Sequence, residues 1–238
     1  MTWLEISIIV VTIIAASALQ ASIGFGMGML AAPVIALIDP TLLPGTIIML
    51  AVVVTAIVAV RERAALDLRG AGWALVGRVP GSLVGAWLVA ALPARGLSWL
   101  VALVVLGGVV MAFAGWRPVP GRLSLMSAGA ASGVMGTATS IGGAPMALIW
   151  QGSHGPRLRG TMAAFFLVGS SISLVALVAV GAVSDGTLRF ALWMIPAVLA
   201  GYVLSRYANR LLDRRRLRLT ALTASAVGAV LLIAAQLT

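Results

Sequence analysis

Cysteine is missing from all 238 residues, which excludes disulfides, iron–sulfur clusters and thiolate metal sites. The single histidine, His154, cannot build a zinc site or a haem pair by itself. Acids are few. Glu5, Asp39, Glu62, Asp67, Asp185 and Asp213 all fall in loops or near the ends of apolar runs. Proton relays and sodium sites inside a bilayer usually need carboxylates within the spans, so no coupling ion is legible. Enzyme chemistry would need a nucleophile with a base, or a metal cluster. This residue set offers neither, so no catalytic residue, metal site or cofactor is expected.

Charge as a whole is scarce, at 9% of residues, where a soluble domain carries roughly a quarter. What fills the chain instead is apolar: 61% of residues, with a mean hydropathy of +1.13. This composition describes an integral membrane protein. A spanning helix takes about 20 residues, so about ten helical elements use nearly the whole chain and leave no room for a soluble domain. The intervals between polar residues are too long for barrel strands, which leaves helices. The opening MTWLEISIIVVTIIAASALQA resembles a signal-peptide core. No basic residue precedes it and Glu5 interrupts it, so it is expected to persist as the first helix.

Apolar runs fall at about 3–19, 28–38, 44–60, 70–92 and 97–115, and again at 123–138, 143–151, 161–183, 189–205 and 217–237. Five elements per half, divided near Pro118-Val-Pro-Gly, predict two repeats, 1–116 and 117–238. Pro33 and Pro44 match Pro145 and Pro156 at one offset of 112; Gly45-Thr46 echoes Gly160-Thr161, and PGSLVG (80–85) echoes PAVLAG (196–201). The formal charge of +10 then tests the orientation, because arginine excess in membrane proteins marks the cytoplasmic side. If the first two elements of each half form a hairpin, re-entrant or spanning, thirteen arginines share one face: 61, 63, 69, 117, 122, 157, 159, 206, 210, 214, 215, 216 and 218. Only Arg95 and Arg189 face the other side. A single broken crossing helix instead gives nine against six. The halves are therefore expected to be inverted, with both termini outside the cytoplasm and RRRLR as a topology anchor. Nucleic acid is not an expected partner.

Inverted repeats are the mark of secondary transporters, whose sites lie near the bilayer midplane where broken helices from both halves meet. Two stretches read as such breaks: QASIGFGMGMLAAP (20–33) and GTATSIGGAPMAL (136–148). Glycine permits non-helical backbone and close approach of a ligand, and a helix starting beyond a break points free N–H groups back at it. The expected substrate-binding set is Ser22, Gly24, Gly26 and Gly28 in the first stretch and Gly136, Thr137, Thr139, Ser140, Gly142 and Gly143 in the second. Arg78, within GAGWALVGRVPGSLVGAWL, joins them as a positive charge near the centre of an apolar run. Such a charge normally faces a polar cavity. The competing reading is an arginine snorkelling to the near face or capping carbonyls freed by Pro80. Gly77, Gly81 and Gly85 read as a helix-packing ladder. His154, in a cytoplasmic loop, reads as solvated.

ASIGFGMGMLAAPVIAL, SGVMGTATSIGGAPMAL and the Pro-Gly-Thr and Arg-Gly-Thr helix starts resemble the TauE/SafE family across essentially the whole chain. Gly24-Phe25-Gly26 matches that family's glycine signature, and Ser140-Ile141-Gly142-Gly143 is a thinner version of it. The resemblance implies movement of sulfite, organosulfonates such as sulfoacetate, or related anions across the bacterial inner membrane, often outward. The partners implied are that small anion and the lipid bilayer; a homodimer is a candidate assembly. The alternative is a passive channel for small anions.

Overall fold

The structure is a computed structural model that describes residues 1–113, 119–153 and 155–211, and beyond them 223, 226–228, 230, 231, 233 and 234. Expectations for His154, Arg117, the split at Pro118 and the run RRRLR lie outside the described residues. The described positions within 217–237 are helical.

Among the described residues there is no strand, and nine α-helices follow the apolar runs closely: α1 (Trp3–Ile23), α2 (Met27–Ile38), α3 (Gly45–Arg61), α4 (Leu68–Ala91), α5 (Ala94–Phe113), α6 (Arg122–Thr139), α7 (Gly143–Ile149), α8 (Gly155–Ala179) and α9 (Asp185–Leu211). Their starts are written locally. Thr2 and Glu5 form a reciprocal capping box on α1, with Glu5 Oε2 accepting from the Thr2 amide at 2.7 Å. Asp67 Oδ1 accepts from the Gly70 amide at 3.0 Å to cap α4, and Ser184 Oγ accepts from the Thr187 amide at 3.1 Å at the start of α9. Segments within α1, α4, α8 and α9 are each long and apolar enough to cross a membrane. Trp87, Val175 and Trp193 turn outward from this bundle, as side chains facing lipid would.

Two short breaks separate α1 from α2 and α6 from α7. Gly24 ends α1 at φ +94° and Gly26 precedes α2 at φ +108°, both in the left-handed region that favours glycine. Ser140 ends α6 at φ +64°, the only described non-glycine residue with positive φ. The left-handed caps at Gly24 and Ser140 lie 140 − 24 = 116 positions apart, whereas the paired prolines lie 112 apart. Pro33 is the seventh residue of α2, whereas Pro145 is the third of α7. The two prolines thus stand at different depths within their helices.

The tightest packing joins α4 to α6. A side chain at Gly77 or Gly81 would overlap the backbone carbonyl of Met126 or Ala130, and one at Gly129 would overlap that of Ala74. The ladder thus brings two helix backbones into direct contact, as small residues do in membranes. Helix α1 packs on α9, α3 on α8 and α9, and α4 also on α8. At one end, Glu62 Oε1 accepts from Arg159 Nη2 at 2.8 Å and pairs with Arg61 Nη2 at 3.0 Å. Nearby, Arg157 pairs with Asp67 at 3.4 Å, and Arg122 lies over the Trp73 ring at 5.1 Å.

Candidate functional site

The two breaks touch. A Cβ on Gly28 would fall on the Ser140 carbonyl, and one on Gly143 would stand 3.0 Å from Phe25 Cβ. Beside this contact lies a cavity of about 30 Å³, room for roughly two water molecules. Seven of the sequence-predicted residues border it: Gly26, Gly28, Arg78, Gly136, Ser140, Gly142 and Gly143. Four do not. Gly24 packs on Met162, and the Ser22 hydroxyl is buried without a partner. Thr137 Oγ1 and Ser173 Oγ are hydrogen-bonded at 2.7 Å, and Thr139 Oγ1 donates to the Met135 carbonyl at 2.7 Å.

Arg78 is the charge of this site. It is 2% exposed, so it does not snorkel. Nor does it cap the turn loosened by Pro80, because its bonds run to another helix. Nη1 donates to Ser132 Oγ at 2.6 Å and to the Ser132 carbonyl at 3.2 Å. Phe165 and Phe166 hold the guanidinium under their rings, with centroids 5.0 and 5.4 Å from Cζ. Behind it stands Gly169, where any side chain would occupy the space of Arg78 Nε and Cδ. Among the described residues no carboxylate pairs with Arg78, and its Nε has no hydrogen-bond partner. A buried cation with donors to spare is the electrostatic signature of this cavity.

Helix α2 adds to the positive character. Its Met27 amide donates to Gln20 Oε1 at 3.1 Å. The next amides, of Gly28 and Met29, belong to a first turn whose N–H groups lack intrahelical partners, and both residues border the cavity. The positive end of the helix dipole lies on the same side. Sequence reasoning missed Gln20, Phe166 and Ser170 on the wall and Ser132 behind it. Gln20 carried a signal, as an amide closing the first apolar run. Ser132 is one small residue among many, and only the fold brings it to Arg78.

Residues 8–232 match the family described as Sulfite exporter TauE/SafE. Neither a curated protein nor a solved structure matches the chain.

Proposed function

The chain belongs to the TauE/SafE sulfite exporter family, and on that premise we propose that it is a secondary transporter exporting sulfite, an organosulfonate such as sulfoacetate, or a related small sulfur oxyanion across the bacterial inner membrane. The family is one of membrane transporters, and the helices make this a multi-pass membrane protein. The substrate site of this reading is the cavity between the two breaks, near the bilayer midplane. Arg78 carries the proposal: a guanidinium 2% exposed, with no carboxylate partner among the described residues, calls for an anionic guest. Gly26, Gly28, Gly136, Ser140, Gly142 and Gly143 form the backbone wall around that guest.

Transport by alternating access is part of the same reading, with the halves as inverted repeats. Support comes from the packing. Exchanging α1 with α6, α2 with α7, α3 with α8 and α4 with α9 turns the α4–α6 contact into α9–α1 and the α4–α8 contact into α9–α3, leaving α3–α8 unchanged. The ends of the breaks follow the same exchange: Ser140 Oγ donates to the Pro44 carbonyl at 3.0 Å before α3, and Gly24 lies against Arg159 and Met162 in α8. The termini then lie outside the cytoplasm.

Counterflow in liposomes tests the function. Unlabelled sulfite inside the vesicle should accelerate uptake of labelled sulfite, as a carrier requires. Flux with no such acceleration would make the protein a passive anion channel, and no flux of any sulfur anion would overturn the substrate class.

A further inference from the structure

We propose that Gln20 touches the transported anion, donating a hydrogen bond from the first break while Arg78 supplies the charge. This rests on the anion site proposed at Arg78. Gln20 lies in the last turn of α1 and is 5% exposed. Its Oε1 accepts from the Met27 amide at 3.1 Å, across the glycine break and onto the start of α2. An N–H can face only the oxygen of a carboxamide, so this bond fixes which way round the group stands. The NH2 end is turned away from Met27.

Among the described residues that NH2 has no hydrogen-bond partner. Nor is it sealed in protein, as Arg78 Nε is. The open space that Gln20 borders is the cavity between the breaks. A donor left over in such a cavity calls for an acceptor in the guest. With Oε1 committed to Met27, Gln20 can only donate, so it must meet an unprotonated acceptor, such as an oxygen of sulfite. Gly28 and Met29, in the first turn of α2, border the same space, so the first break gathers neutral donors in one corner. The second break is furnished differently. Glycine stands at 136, which is 136 − 20 = 116 positions further on, the offset of the left-handed caps. Arg78 Nη2 comes within 3.2 Å of where a Cβ of Gly136 would stand. A carboxamide thus serves the first break where a guanidinium serves the second.

Glutamine occurs only as Gln20, Gln151 and Gln236, so isotope labelling of glutamine nitrogen makes the Gln20 side chain visible by magnetic resonance in the purified protein. Its NH2 signal is the one missing from Gln20→Met. On titration with sulfite, that signal should shift and saturate together with binding, and it should stay fixed in Arg78→Gln, where binding is lost. Gln20→Met, of similar length but without a donor, should raise the sulfite Kd by about tenfold or more per folded molecule, the scale of one hydrogen bond to a charged group. Gln20→Glu keeps an acceptor for the Met27 amide. Loss of sulfite binding there, at an unchanged unfolding temperature, separates the donor from the cap. A Gln20 signal that stays fixed as sulfite binds, or a Kd within about twofold of wild type in Gln20→Met, would overturn the role of Gln20 alone. Wild-type sulfite binding in Arg78→Gln would overturn the anion site itself.

Discussion

Arg78 concentrates the chemistry of this chain at a single residue. A charge at the centre of a spanning helix costs about 2.5–3.5 kcal/mol on insertion scales, and here no described acid offsets it. Arg78→Gln keeps donors but loses the charge, so it should remove nearly all sulfite flux per folded molecule. Arg78→Lys keeps the charge but loses the fork, and should raise the apparent sulfite KM by about tenfold, the scale of one hydrogen bond to a charged group, while leaving measurable flux. Gly169→Ala tests the same group from behind. Its methyl would occupy the position of Arg78 Nε, so the guanidinium must leave its slot. We expect sulfite binding to be lost, with thermal unfolding in detergent reporting a cost of about 1–3 kcal/mol, as for other overpacked cores. Intact binding in that variant would mean that the guanidinium has room to work elsewhere. The sequence made Arg78 conspicuous because a charge amid apolar residues stands out, whereas Ser132 and Phe166 became its partners, and Ser170 a part of the cavity wall, only when α4, α6 and α8 came together.

At the scale of elements, glycines play two separable roles. In the α4–α6 seam they admit a neighbouring carbonyl, so Gly81→Ala should push the helices apart and lower the unfolding temperature sharply. Gly107, in α5, has open space where a Cβ would stand, so Gly107→Ala should hold or raise that temperature through helix propensity of up to about 1 kcal/mol. Comparable losses in both variants would contradict the seam. In the breaks, glycine sets contact between the two tips: Gly28→Ala drives a methyl into the Ser140 carbonyl and should abolish transport. The helices themselves were legible as apolar runs, because in a bilayer the hydrocarbon length and the backbone's need for partners dictate them. The breaks were legible as small and polar residues amid greasy ones. Their register was not, since proline is tolerated at several helix positions in membranes while the left-handed cap is not optional. Ser140 takes that cap at φ +64°, where glycine is the usual occupant. Pro80 and Pro196, both inside helices, are separated by the same 196 − 80 = 116 positions, the offset that the proposed repeat would take.

For the whole molecule, the proposed orientation rests on the arginine distribution. The absence of cysteine allows a direct check by single introduced thiols. Leu66→Cys should react only from the cytoplasm and Arg95→Cys only from outside. Labelling of both from one side would exclude the inverted arrangement. The contacts among Arg61, Arg157, Arg159, Glu62 and Asp67 gather at one end arginines that the sequence assigned to one face. The pairings of Arg157 with Asp67 and of Arg159 with Glu62 were not readable, because the partners lie 90 and 97 positions apart. The α4–α6 seam bears on motion. Helices that meet through interdigitated side chains can shear by small rotamer adjustments, but carbonyls seated in glycine notches are keyed against sliding. In the proposed transport cycle, α4 and α6 are therefore expected to travel as one rigid beam. Arg78 and Ser132 both ride on it, so the charge and its anchor stay in register through the cycle. Any opening of the cavity then falls to the lighter contacts at the tips of the breaks, where a single hydroxyl bond from Ser140 to Pro44 is among the bonds that have to part.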